Sequence, residues 1–163
     1  MSERVYTQTF GAVAAMLERD GKFLLVKEQL GEGNPDTGKW SHPAGWLEVG
    51  ELPIEGIIRE VKEETGYDLT PTHLLGVYSN VRRDISGPKG TPHAIKVVFV
   101  GKISEQPTGA LNDDVSENRW FTPEEINAMD IDVLRTRDIK KMIRDYLAGT
   151  RYSLAILTHT VQE

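Results

Sequence analysis

Residues 53 to 66 carry the clearest periodic pattern. Ile54, Ile57, Ile58, Val61 and Thr65 recur at helical spacing and form an apolar stripe roughly 100° wide at ~100° per residue. Pro53 suits the first turn, where its missing N–H costs nothing, and Gly66 suits a left-handed helix end. Glu60, Glu63 and Glu64 fall together on a neighbouring arc. Gly56 joins that arc and leaves room for close approach to the helix.

Elsewhere the pattern predicts mostly strands. Residues 9–18 and 22–29 read as two strands joined at Asp20-Gly21, a hairpin signal. A polar Gly/Pro loop spans 30–39, and Trp40 to Ala44 leads into the acidic segment. Further strands are expected at 73–83 and 93–103, with a Gly/Pro-rich loop between them, and a short one at 118–121. Thr122-Pro123-Glu124-Glu125 is a helix start, with Thr as N-cap and acids in the first turn. A longer helix is expected from about 133 to 148, then a final strand or tail at 152–158. Strands, helix, strands, helices imply an α/β fold, a mixed sheet packed between helices.

At 163 residues the chain suits a single domain, residues 1–163, large enough for a real core. The net charge of −6 argues against a general grip on nucleic-acid phosphates, and requires locally placed cations or metal for any anionic ligand. With no cysteine, disulfides, thiol catalysis and thiolate zinc sites are excluded. The apolar run Phe10 to Leu17 is far short of the ~20 residues that span a bilayer. Its Ala12-Val13-Ala14 superficially matches a signal-peptidase site, but a strand explains it better. A cytoplasmic location is the expectation.

Three carboxylates on one helical arc repel one another. A hard, oxygen-preferring cation reverses that cost, which points to Mg²⁺ or Mn²⁺. A solvated acidic face is the plainer reading, and Arg59 is spaced to pair with Glu55 or Glu63.

The full spacing decides between them. Residues 45 to 67, GWLEVGELPIEGIIREVKEETGY, resemble the Nudix box, G-x5-E-x7-R-E-U-x-E-E-x-G-U, where U is apolar. Gly45, Glu51, Arg59, Glu60, Glu63, Glu64 and Gly66 all match, a coincidence on the order of one in 10⁸ per starting position. Tyr67 fills a slot that is usually aliphatic. The resemblance implies the Nudix α/β/α sandwich and metal-dependent hydrolysis of a diphosphate-containing small molecule. It implies Glu60 and Glu64 as main metal ligands, Glu63 as a third ligand partly through water, and the Gly45 carbonyl as a further one. Glu51 and Arg59 are implied to be a structural ion pair. For the base, the family often uses a later loop before an aromatic strand; Asp114 is the first choice here, ahead of Glu117 and Asp113. Lys27, at the end of the second strand, is implied as a phosphate contact, with Lys39, Arg82, Arg83 and Lys96 as alternatives. Trp46 beside Gly45 is placed to stack a heterocycle, whereas Trp40 reads as core. His42 and His93 are weaker candidates for substrate contact.

Substrate markers of the family mostly fail. The proline common in ADP-ribose hydrolases about fifteen residues after the box is replaced by Arg82. Ile85-Ser86 stand where diadenosine polyphosphate hydrolases tend to have Tyr. Isomerases sharing the fold need a Cys that is missing. Trp40-x-x-Pro43-Ala44-Gly45, Arg119-Trp120-Phe121 with Glu124-Glu125-Ile126, and Gly149 to Leu154 are similar to the NudJ-type phosphatase branch. That branch acts on nucleoside di- and triphosphates and a thiamine-pathway pyrophosphate. The expectation is therefore a phosphatase-type Nudix hydrolase of small-molecule pyrophosphates. The alternatives are an ADP-ribose or nucleotide-sugar pyrophosphatase, or a non-catalytic nucleotide-sensing module. The oligomeric state is left open; a homodimer is compatible with the sequence.

Overall fold

The computed structural model describes residues 8–163. Its elements run β1 (Phe10–Met16), β2 (Glu18–Arg19), β3 (Lys22–Glu28), β4 (Trp40–Ser41), β5 (Ala44–Trp46), α1 (Pro53–Thr65), β6 (Leu69–Val81), β7 (His93–Ile103), β8 (Val115–Phe121), α2 (Pro123–Ala128) and α3 (Ile139–Leu147). One sheet has the order β5-β1-β7-β6. It is mixed, because β1 and β7 are parallel while β5 and β6 pair antiparallel. A second sheet joins β2, β3 and β4, with β8 on the other edge of β3.

Strand β1 shows why the layers form. Its alternate residues Ala14 and Met16 pack with Ile126, Ile139, Met142 and Ile143 from α2 and α3. Val13, Ala15 and, just beyond the strand, Leu17 pack with Ile57 and Val61 of α1 instead. A strand buried on both faces reads as a near-continuous apolar run, as FGAVAAM does. The result is an α/β/α sandwich, with α1 on one side and α2 and α3 on the other.

Local signals hold where chemistry is local. Asp20 and Gly21 both adopt positive φ, 53° and 77°, the twist a two-residue hairpin needs. Thr122 and Glu125 form a reciprocal capping box behind Pro123. Gly66 ends α1 with φ 75°, and a Cβ there would lie 2.2 Å from the Gly109 carbonyl oxygen.

Four expectations need correcting. The helix expected from 133 begins only at Ile139: Asp130 caps a 3-10 turn at Ile131–Val133, and Leu134 then extends to bridge Trp40. Leu134 is thus buried from an extended backbone, not a helix. The strand expected at 9–18 ends at Met16, where the chain turns into β2. The strand expected from 73 starts at Leu69, held by pairing with Ile103. Finally, the buried face of α1 is rotated: Ile58 is 37% exposed, while Gly56, Glu60 and Glu64 are buried with Ile57 and Val61. Strand β5 packs over that acidic arc. Short strands β4 and β5 were not anticipated. Among the described residues, no helix is long and apolar enough to cross a membrane.

Candidate active site

The loop before α1 is fastened to the helix by a two-pronged ion pair. Arg59 donates from Nε to Glu51 Oε1 at 2.8 Å and from Nη2 to Glu51 Oε2 at 3.0 Å. Glu51 Oε2 also accepts the Glu48 amide at 3.0 Å. These bonds hold the Glu51 carboxyl below its ordinary range, the Arg59 pairing most of all. Arg59 Nη1 continues to Glu60 at 2.6 Å and to Glu63 at 3.4 Å.

Glu60 and Glu64 lie beneath β5. The Ala44 amide donates to Glu64 Oε2 at 3.0 Å. Glycine at 45 is required by a close approach: a Cβ there would sit 2.0 Å from Glu60 Cδ and Oε1. Burial pushes the Glu64 carboxyl well above its ordinary range, and the charges of Glu28 and Glu60 push it further. Burial likewise raises Glu60, against the lowering pull of Arg59. Glu63 is more open, with its side chain 45% exposed.

Sequence reasoning missed Glu28. It is 2% exposed at the end of β3, and its carboxyl is also raised, first by burial. Asp36 and Asp114 are among the charges that raise it. Its partner is Arg135, whose Nη1 donates to Glu28 Oε1 at 2.8 Å. Arg135 Nε reaches Asp36 Oδ2 at 3.3 Å, and Arg82 grips both oxygens of the same Asp36. One signal was available: Leu24, Val26 and Glu28 share a strand face, and all three are buried.

The loop holding Asp114 is bound at both ends. The Asn112 amide donates to the Glu63 carbonyl on α1 at 2.8 Å, and the Asp114 carbonyl accepts the Gln29 amide at 2.7 Å. Asp114 is half-buried there; Asp113 and Glu117 are exposed.

A cavity of about 400 Å³ opens beside β5. Ala44, Gly45 and Trp46 form its border with the carboxylates, and the loop from Ile85 to Pro92 forms another wall. Trp46 rests edge-on against Phe10 at 5.3 Å. Arg82 lines the cavity, but its nitrogens are taken by Asp36 and Asp84. Lys96 also lines it, and is paired with Asp138 at 2.5 Å. Lys27 is not part of the lining; its ammonium lies 5.6 Å from the Trp40 ring centre. Lys39 pairs with Asp36 at 3.4 Å. Trp40 packs edge-on against Phe121 at 4.9 Å. His42 is buried in the cavity wall, and burial followed by the Lys96 charge keeps its imidazole neutral by lowering its pKa. His93 lines the cavity and contacts Thr9 and Ser79 through its two ring nitrogens.

Glu60 and Glu64 suit a hard cation: they offer only oxygens, both are buried, and burial raises the proton affinity of both. The geometry is not that of a closed cage. Among the described residues, no three His, Asp or Glu side chains already surround one point. Glu60 and Glu63 turn oxygens to Arg59, and Glu64 turns one to Ala44.

The NUDIX domain model matches residues 7–144. The chain belongs to the Nudix family. An ADP-ribose pyrophosphatase from Methanocaldococcus jannaschii is 35% identical over 144 residues, 88% of this chain and 76% of the relative. The phosphatase NudJ of Escherichia coli K12 is 32% identical over 148 residues, covering 89% of this chain and 88% of that one. A Nudix hydrolase structure from Nitrosomonas europaea superposes with a TM-score of 0.81 at 36% identity, over 94% of this chain and 98% of the other. This Nudix chain is accordingly an enzyme of the hydrolase class, a conclusion that the names and coverage of these relatives support together.

Proposed function

We propose that this Nudix hydrolase cleaves small-molecule pyrophosphates with Mg²⁺ or Mn²⁺, in the manner of a phosphatase acting on nucleoside di- and triphosphates or a thiamine-type pyrophosphate. One observation carries the reading. The cavity that can hold a heterocycle meets the buried carboxylates across a single residue, Gly45.

Glu60 and Glu64 are the main cation ligands in this account, with Glu63 and the Gly45 carbonyl completing the set. Glu60 and Glu63, both paired with Arg59, would have to give up that partner to hold a cation. A cation held by these carboxylates would supply Lewis-acid chemistry, polarising phosphoryl oxygens and making an adjacent water more acidic. Asp114 would take the proton of the attacking water, from a loop tied to α1 and to Gln29 just beyond β3. Trp46 stacks the heterocycle, a contact worth about 0.5–1.5 kcal/mol. Arg82 is reassigned from substrate contact to clamp, since Asp36 and Asp84 occupy it. Lys27 remains a candidate phosphate contact only if its ammonium leaves the Trp40 ring.

The test is a paired kcat/KM comparison of a nucleoside diphosphate, a thiamine-type pyrophosphate, ADP-ribose and a nucleotide sugar, each with Mg²⁺. Phosphate release from the first two is expected to dominate. The Methanocaldococcus relative favours a second reading, ADP-ribose pyrophosphatase. A tenfold advantage for ADP-ribose or the nucleotide sugar would install that reading instead.

A further inference from the structure

Four cationic side chains line the cavity: Arg82, Lys89, Lys96 and Arg135. Arg82 has Nε, Nη1 and Nη2 all engaged by Asp36 and Asp84, at 2.8 to 3.1 Å. Lys96 is 4% exposed and bound to Asp138. Arg135 differs. Nε goes to Asp36 and Nη1 to Glu28, while Nη2 makes no hydrogen bond to any described residue. Its side chain is 28% exposed.

Two carboxylates therefore fix the plane of this guanidinium and leave one edge unspent. The backbone is fixed as well. Arg135 N–H donates to the Trp40 carbonyl at 2.9 Å, and the preceding Leu134 bridges β4. A planar fork pre-oriented on two sides loses little freedom when it binds a third acceptor. Position indicates which acceptor. Arg135 lines the same cavity that Ala44 and Gly45 wall off from the carboxylates, and its charge acts on Glu64. The diphosphate of a substrate whose ring stacks on Trp46 would lie there.

We infer that Arg135 is a substrate-binding residue whose free Nη2 edge takes a phosphoryl oxygen of the pyrophosphate, with Glu28 and Asp36 acting as the brackets that aim it. The inference rests on the pyrophosphatase reading above and adds a recognition residue to it. Guanidinium forks match phosphoryl oxygens in charge and in geometry. A purely structural Arg135 would only neutralise Glu28 and Asp36.

The two roles separate in binding measurements on the Mg²⁺-loaded protein. Arg135→Gln is expected to raise KM for a nucleoside diphosphate, and the inhibition constant of inorganic phosphate, by about tenfold or more, with a smaller change in kcat. Arg135→Lys should recover part of the phosphate affinity. In wild-type protein with labelled arginine, inorganic phosphate should shift the Arg135 guanidinium NMR signals, identified as those lost in Arg135→Lys. An unchanged inhibition constant in a folded Arg135→Gln protein would overturn the proposal. If that variant does not fold, unshifted guanidinium signals at saturating phosphate overturn it instead. Phosphate-dependent shifts in a protein that hydrolyses no pyrophosphate would uphold Arg135 and reject the function.

Discussion

Gly45→Ala is the smallest change that probes the candidate site directly. Its Cβ would appear 2.0 Å from Glu60 Cδ and Oε1 and 2.4 Å from Oε2. Ordinary contact begins at 3.4 Å, so the carboxylate must retreat by about 1.4 Å. Glu60 is a flexible side chain, but its retreat is opposed: Arg59 holds Oε1 at 2.6 Å and is itself fixed by Glu51. Losing one charge-assisted bond costs about 1.5–3 kcal/mol, enough to lower Tm without unfolding the chain. The functional cost should be larger, since a displacement near 1 Å at a reacting centre can cost about 10²-fold in rate. The assay is kcat as a function of Mg²⁺ concentration, with thermal melts alongside. Expected are a rightward shift in Mg²⁺ dependence and a kcat lower by about 10²-fold. Wild-type Mg²⁺ dependence and kcat in a folded Gly45→Ala protein would refute the placement of Glu60 as a ligand beside Gly45.

Glu51→Gln should lower stability by about 1–2 kcal/mol, because it removes the carboxylate that anchors Arg59, while kcat of the folded protein stays within a few-fold; chemical denaturation and steady-state kinetics check both. Asp114→Asn should reduce kcat by about 10²-fold and flatten the acidic limb of the pH–rate profile, with Asp113→Asn milder; an unaltered profile would move the base elsewhere. In metal-free protein the raised carboxyl of Glu64 binds its proton more tightly folded than unfolded, so its contribution is favourable below pH 4.5 and is lost as pH rises through the folded value. The stability of wild type relative to Glu64→Gln should therefore decline with rising pH above 4.5. His42, lowered by burial, gives the opposite slope below pH 6.5 in both proteins and cancels in the difference; a difference that grows with pH would contradict the burial argument.

What the sequence revealed divides by range. The bounds of α1, the Asp20-Gly21 turn, the Thr122–Glu125 box and the Gly66 stop are settled within a few residues by local geometry, and all were legible. The Glu51–Arg59 pair was legible through a motif of fixed spacing. The network of Glu28, Asp36, Arg82 and Arg135 was not, because its members lie up to 107 positions apart and no local pattern links them. Polarity misled in one place. Glu60 and Glu64 read as an arc beside the buried stripe, yet β5 folds over them and Ile58 takes the exposed side. Strands β4 and β5 are too short for a period to register, with two and three residues.

The central claim is that the buried acidic arc of α1 is a divalent-cation site, and calorimetric titration of Mg²⁺ and Mn²⁺ into wild type, Glu60→Gln and Glu64→Gln tests it most directly. The account predicts binding to wild type with a matching rise in Tm, and loss of both in either variant. Equal binding by all three proteins would contradict it.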